Sequence, residues 1–191
     1  MYEKIIVGHD GTEGGDDALM LARVLAEATG AEVLVTHVCH ETEFPTSSAA
    51  QRWNQALRED ALESLEAAVG DASEMRTQLV ASTSPGRGLH ELAESEGADL
   101  IVVGSTHHHG LDRLLAGSVT ETAIQGSPCA VAVAPAGFRD RGGGLQHIGV
   151  AFDGMPESCE ALPRAAALAH AAGAELRVLT VVEPAHVSME G

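Results

Sequence analysis

The groups best suited to holding an anion lie between Gly104 and Ser118, in the run GSTHHHGLDRLLAGS. Gly104, Gly110 and Gly117 would let a ligand approach the main chain closely, and Ser118 stands where a helix of pattern SVTETAIQG begins. The first backbone N–H groups of a helix lack intrahelical partners and carry partial positive charge, so a strand, a glycine-bearing loop and a helix start together form a phosphate cradle. Arg113 is the only cation in the run. It is read either as a side-chain contact to phosphate or as a solvated surface arginine. Three adjacent imidazoles, His107, His108 and His109, cannot converge on one metal from a regular segment, so no metal site is read from them. They are read as solvent-exposed loop residues, with His107 as a phosphate donor the alternative. A second polar turn, Gly8-His9-Asp10-Gly11-Thr12, contains Asp10, whose carboxylate suits hydrogen bonding to the turn that enters the next helix.

These turns need elements to position them. An unbroken apolar run at 100–103 predicts a strand covered on both faces, and 4–7 predicts another. A helix is expected over 15–29, because Ala18, Leu21, Ala22, Leu25 and Ala28 recur at three and four residues and Gly30 follows as its stop. Strand 32–38 comes next, then a loop over 39–48, and a helix whose face is marked by Trp53, Leu57, Ala61, Leu65 and Ala68. Beyond it are expected a strand at 75–82, a turn at Pro85-Gly86, a short helix at 89–96, the 100–103 strand, a helix from Ser118 to Gly126 and a last strand at 130–134. Strands alternating with helices predict an open five-stranded parallel sheet with helices on both faces, because parallel strands require crossovers. Ligands in such sheets bind beyond the carboxyl ends of the strands, which is where Asp10, Val38 and Gly104 fall.

The spacing Gly104-x-x-His107, nine residues, then Gly117-Ser118 resembles the G-x-x-G-x9-G-[ST] signature of universal stress proteins, with His107 in place of the second glycine. The resemblance runs over about 4–135 and takes in Gly8-His9-Asp10-Gly11-Thr12 and Ser127-Pro128-Cys129. It implies an adenine-nucleotide α-hydrolase-like fold that binds ATP or another adenine nucleotide, with Mg²⁺ accompanying ATP. It implies ligand contacts at Asp10, Val38, Val103, Gly104, His107, Arg113, Gly117, Ser118 and Val119, with Asp10 and Val38 toward the nucleoside. It also implies a homodimer paired through the strand at 130–134, and a role in the stress response. Gly104 and Gly117 also have a plain reading, as a strand terminator and a loop glycine. If the family glycine has positive φ, His107 costs about 1 to 2 kcal/mol there. Surviving charged hydrogen bonds, about 1.5 to 3 kcal/mol each, would offset it.

Composition narrows the alternatives. A formal charge of −17 disfavours nucleic acid, whose binding draws on cationic contacts to phosphate. It bears less on a nucleotide, since exposed charges are screened beyond about 8 Å at physiological salt. Lys4 is the only lysine, which excludes a G-x-x-x-x-G-K-[ST] loop. No apolar run has the length of a membrane span and the N-terminus does not read as a signal peptide, so a cytoplasmic protein is expected. Cys39, Cys129 and Cys159 form no C-x-x-C; Cys39 and Cys129 are read as buried thiols. No acid and base pair is assignable: Asp112 and Glu121 read as solvated helix-end charges, and HDGTEGGDD matches poorly the phosphate loop of related hydrolytic enzymes. A non-enzymatic binder is therefore expected, with a nucleotide-independent dimeric interaction protein as the alternative.

The C-terminal part repeats the N-terminal part. Phe152-Asp153-Gly154 through Gly173 to Val181 aligns without gaps on His9-Asp10-Gly11 through Gly30 to Val38. The expected organisation is a domain at 1–135, a glycine-rich linker at 136–146 and an incomplete second repeat, strand-helix-strand, at 147–191. Two parallel strands and one helix cannot bury their own faces.

Overall fold

Alternating hydrophobic runs and helical periods fold as the pattern requires. The computed structural model describes residues 1–40, 48–70, 75–105, 118–142 and 144–182. Tyr2–Gly143 form one compact unit and the residues from Gly144 onward a second. In the first unit the elements are β1 (Lys4–Gly8), α1 (Glu13–Thr29), β2 (Glu32–His40), α2 (Ser48–Val69), β3 (Arg76–Ser82), α3 (Pro85–Glu96), β4 (Leu100–Gly104), α4 (Ser118–Ile124) and β5 (Ala130–Ala134). The five strands pair in the order β3-β2-β1-β4-β5, all parallel. Helices α1 and α2 pack on one face and α3 and α4 on the other.

Period-two alternation divides the core. Ile6, Leu34, Ile101 and Val103 meet Leu89, Leu92 and Ala93 of α3 and Ala123 of α4. Their neighbours Ile5, Val7, Val33, Val35 and Val102 are buried too, as continuous apolar strands between two helical layers should be. No helix among the described residues is long and apolar enough to cross a membrane.

Three local expectations need correction. Helix α1 starts at Glu13, two residues earlier than expected, because the Thr12 hydroxyl caps it by accepting the Gly15 N–H. Pro85-Gly86 is not a turn: Ser84 caps α3 and Pro85 occupies the first helical position, where its missing N–H costs nothing. The face read on α2 is buried at Ala61 and Leu65, but Trp53 is 67% and Leu57 41% exposed. The 22 residues of α2 span about 33 Å. The 7 residues of β3 span only about 23 Å. The first turns of α2 therefore have no sheet to cover. Cys39 and Cys129 are half-buried, burial pushing the Cys129 thiol up, and Cys159 is exposed.

In the second unit β6 (His147–Ala151), α5 (Pro156–Ala172) and β7 (Glu175–Leu179) form a strand-helix-strand with a parallel two-stranded sheet. Val150 and Ala169 are buried, whereas Val178, Leu179, Val181 and Val182 are exposed, as expected of so small a fragment.

Candidate functional site

From β1 the chain crosses through α1 to β2, and from β3 it crosses back through α3 to β4 on the other side of β1. The carboxyl ends of β1 and β4 are therefore the switch point of the sheet. A cleft of about 520 Å³ opens there, within the size range of nucleotide and cofactor pockets. Its lining brings together four of the sequence-predicted residues: Asp10, Val38, Val103 and Gly104.

Glycines set the walls. A Cβ on Gly104 would overlap the carbonyl of Gly14, so the end of β4 and the first turn of α1 meet main chain against main chain. That contact gives Gly104 a packing reason to be glycine, as a strand terminator, whatever ligand it meets. A Cβ on Gly8 would stand 3.2 Å from Leu89 Cδ1, and one on Gly15 3.1 Å from the Asp10 amide nitrogen. The cleft floor is thus backbone and small apolar surface: Gly8, Val38, Val103 and Leu89. Thr36, on the same lining, is fully buried and its hydroxyl has no hydrogen-bond partner among the described residues.

At the mouth, Asp10 closes the turn after β1. Its Oδ1 accepts the Thr12 N–H at 3.1 Å and the Thr12 hydroxyl at 2.6 Å, and Gly11 takes the left-handed φ of 77° that the turn requires. The turn reading of Asp10 is therefore realised in the geometry, and its position on the cleft lining leaves the carboxylate beside any occupant. His9, 3% exposed, accepts the Gly11 N–H at Nδ1 and meets Asp16 Oδ1 through Nε2 at 3.1 Å. With Nδ1 accepting, the neutral ring carries its proton on Nε2 and donates to Asp16. His37 lies nearby on β2; burial holds its pKa below the usual range, against the opposing pull of the Asp10 carboxylate.

Sequence reasoning missed a second layer behind this mouth. Asp17 is 1% exposed, and its two oxygens accept the N–H groups of Gly137 and Arg139, each at 2.8 Å. The start of the segment expected as a linker is thereby tied down, and a 3₁₀ turn at Arg139–Arg141 follows. The Arg139 guanidinium then reaches Asp16 at 2.8 Å and Glu13 at 3.0 Å. The only sequence signal was an acidic residue on the apolar face of α1, beside Ala18.

On the β4 side, the Thr120 hydroxyl, 1% exposed, donates to the Gly104 carbonyl at 3.1 Å. This bond sets the first turn of α4 against the end of β4 and on the cleft lining. Ser118 and Val119 open that helix, whereas His107, His108, His109, Gly110, Asp112, Arg113 and Gly117 lie outside the described residues. Glu121 is exposed. No group of three potential metal ligands occurs among the described residues.

The sequence model of the Universal stress protein family matches residues 1–135 and 144–191. The chain belongs to this family. Among similar relatives, the universal stress protein MJ0531 of Methanocaldococcus jannaschii is 32% identical over 140 residues, which are 70% of this chain and 82% of that protein. The solved structure of MJ0577, described as a structure-based assignment of biochemical function, matches at TM-score 0.59 and 29% identity, over 71% of this chain and 96% of that one. A universal stress protein solved in complex with cAMP matches at TM-score 0.51 and 24% identity, over 71% of this chain and 98% of that one, a likeness of fold. As a universal stress protein, the chain carries its cleft where open α/β sheets hold ligands.

Proposed function

We propose that the cleft binds an adenine nucleotide, ATP being the first candidate with Mg²⁺ accompanying it, and that the protein serves the stress response as a binding module. The observation that carries the reading is the switch-point cleft itself, floored by Gly8 and Gly104 and bordered by the first turns of α1 and α4. A floor of main chain and small apolar side chains suits a planar base, and helix starts suit phosphate. A universal stress protein of this fold has been solved with cAMP, itself an adenine nucleotide. In this reading Asp10 and Val38 meet the nucleoside, Gly104, His107, Arg113, Gly117 and Ser118 form the phosphate end, and Val103 and Val119 are further ligand contacts. Little hydrolysis is expected, since the carboxylates at the mouth are engaged: Asp10 by its turn, Glu13 by Arg139. The protein is taken to be cytoplasmic.

Mass spectrometry of nucleotide released on denaturation, followed by calorimetry with ATP, tests the reading; no retained nucleotide and no heat at millimolar ATP would end it. His107→Gly is expected to tighten ATP binding, up to about tenfold if 1.4 kcal/mol of strain is relieved. Phosphate release above the buffer rate would overturn the non-enzymatic reading.

A second reading, a nucleotide-independent homodimer, is favoured by β5. Among the described residues it is an edge strand, hydrogen-bonded in the sheet to β4 alone, with Ala130 exposed at its start. An unpaired edge is a template for another chain. Light scattering should give twice the chain mass, and Ala130→Asp should lower it. For the chain as a whole, we infer a domain at 1–135, a linker at 136–146 and an incomplete second repeat at 147–191, supported by the family match to 144–191.

A further inference from the structure

The first turn of α1 presents an electrostatic problem to an anionic ligand. Asp10 and Glu13 both line the cleft, and Asp16 lies one turn along. In a chain of net charge −17, carboxylates on the cleft lining repel an anionic ligand. The molecule answers with a cation brought in from beyond β5. Arg139 is not placed by its own side chain: its backbone N–H, with that of Gly137, is clamped by the buried Asp17 carboxylate. From that anchor its half-buried side chain spans Glu13 at 3.0 Å and Asp16 at 2.8 Å, and Asp16 in turn accepts from the His9 Nε2. The bond to Glu13 holds the guanidinium firmly in its charged form.

We propose that Arg139 is a positioning residue for the ligand's anionic end, holding the Glu13 carboxylate neutralised at the cleft mouth. The inference rests on the nucleotide reading above. Arg139 does not line the cleft, so it acts through Glu13 rather than by touching ligand. A cation supplied by the segment leading to Gly142 would make phosphate affinity depend on how that segment is docked on α1.

The full chain is compared by calorimetry with ATP and with adenosine, as wild type, Arg139→Gln, and Arg139→Gln combined with Glu13→Gln. Arg139→Gln should weaken ATP about fivefold, the scale of an exposed ion-pair network. Adenosine, which carries no phosphate, should change less than twofold. The added Glu13→Gln should restore ATP binding, and the ATP loss should shrink at 1 M salt, where screening acts within about 3 Å. Equal weakening of ATP and adenosine, or no rescue by the second substitution, would make Arg139 a merely structural residue and overturn the proposal. If Arg139→Gln unfolds the chain, Glu13→Gln alone still decides: it should tighten ATP or leave it unchanged, and weaker binding would refute the role. Wild type binding neither ligand would instead bring down the nucleotide reading, and this proposal with it.

Discussion

Residues 4–37 and 147–180 follow one backbone plan at 143 residues' separation. Lys4 pairs with Glu32 as His147 pairs with Glu175, and the bond from His9 N–H to the Thr36 carbonyl recurs from Phe152 N–H to the Leu179 carbonyl, both 2.8 Å. Asp10 accepts the Thr12 N–H at 3.1 Å, and Asp153 the Met155 N–H at 3.0 Å. Gly11 and Gly154 take φ of 77° and 81°, and Gly30 and Gly173 end their helices at 75° and 64°. What differs, in residue type or in burial, is a set of positions that answer to a distant segment in the first unit. Gly14, which meets Gly104, corresponds to Glu157; the buried Asp17 corresponds to the exposed Glu160; Val35 and Thr36, fully buried, correspond to Val178 and Leu179, 51% and 60% exposed. Backbone geometry is thus carried by a few turn residues wherever they occur, whereas the cleft depends on contacts that only the first copy makes.

Substitutions at matched positions can break that contrast. The largest effect is expected at Gly104→Ala, whose Cβ would drive into the Gly14 carbonyl: about 3 kcal/mol or more of stability, read by denaturant unfolding. Glu157→Gly, at the counterpart of Gly14, should cost only about 1 kcal/mol, the helix-propensity loss in the first turn of α5. Asp17→Asn turns an amide toward two backbone donors and should cost about 2 kcal/mol, while Glu160→Gln stays within about 0.5 kcal/mol. Gly154→Ala should cost about 1 to 2 kcal/mol for its positive φ, and Gly11→Ala at least as much, because its Cβ would also stand 3.0 Å from Ser64 Oγ; a cheaper Gly11→Ala would mean the turns are not equivalent. Thr12→Met should lose about 1 kcal/mol of helix capping, and Met155→Thr should protect the α5 amides from hydrogen exchange by regaining part of it.

The smallest effect concerns pH. His37 corresponds to Thr180, and burial lowers its pKa from 6.5. A depressed folded value means that its contribution is fully present above that ordinary value and is lost as pH falls through the folded one. His37→Thr should flatten the stability profile of the first unit in that window, and an unchanged slope would assign the titration elsewhere.

The fold was legible because its signals are local and redundant. Apolar runs at β1 and β4, helix periodicity in α1 and glycine stops at Gly30 and Gly97 all state their structure within a few residues. The cleft was legible at Asp10, Val38, Val103 and Gly104, because strand ends converge at the switch point of any such sheet. Thr120 and Asp17 were not, since each acts on a partner far along the chain: Thr120 on Gly104, Asp17 on Gly137 and Arg139. The same holds for Trp53, whose apolar character predicted burial that the length of α2 denies it.

That exposed indole has a practical consequence. Trp53 is the sole tryptophan of the chain and is already bathed in solvent when folded. Intrinsic emission should therefore peak at long wavelength in the native protein and shift little on denaturation, so circular dichroism, not fluorescence, is the spectroscopy to follow unfolding. A tryptophan placed at Val38, on the cleft floor, would supply the optical reporter that the natural chain lacks.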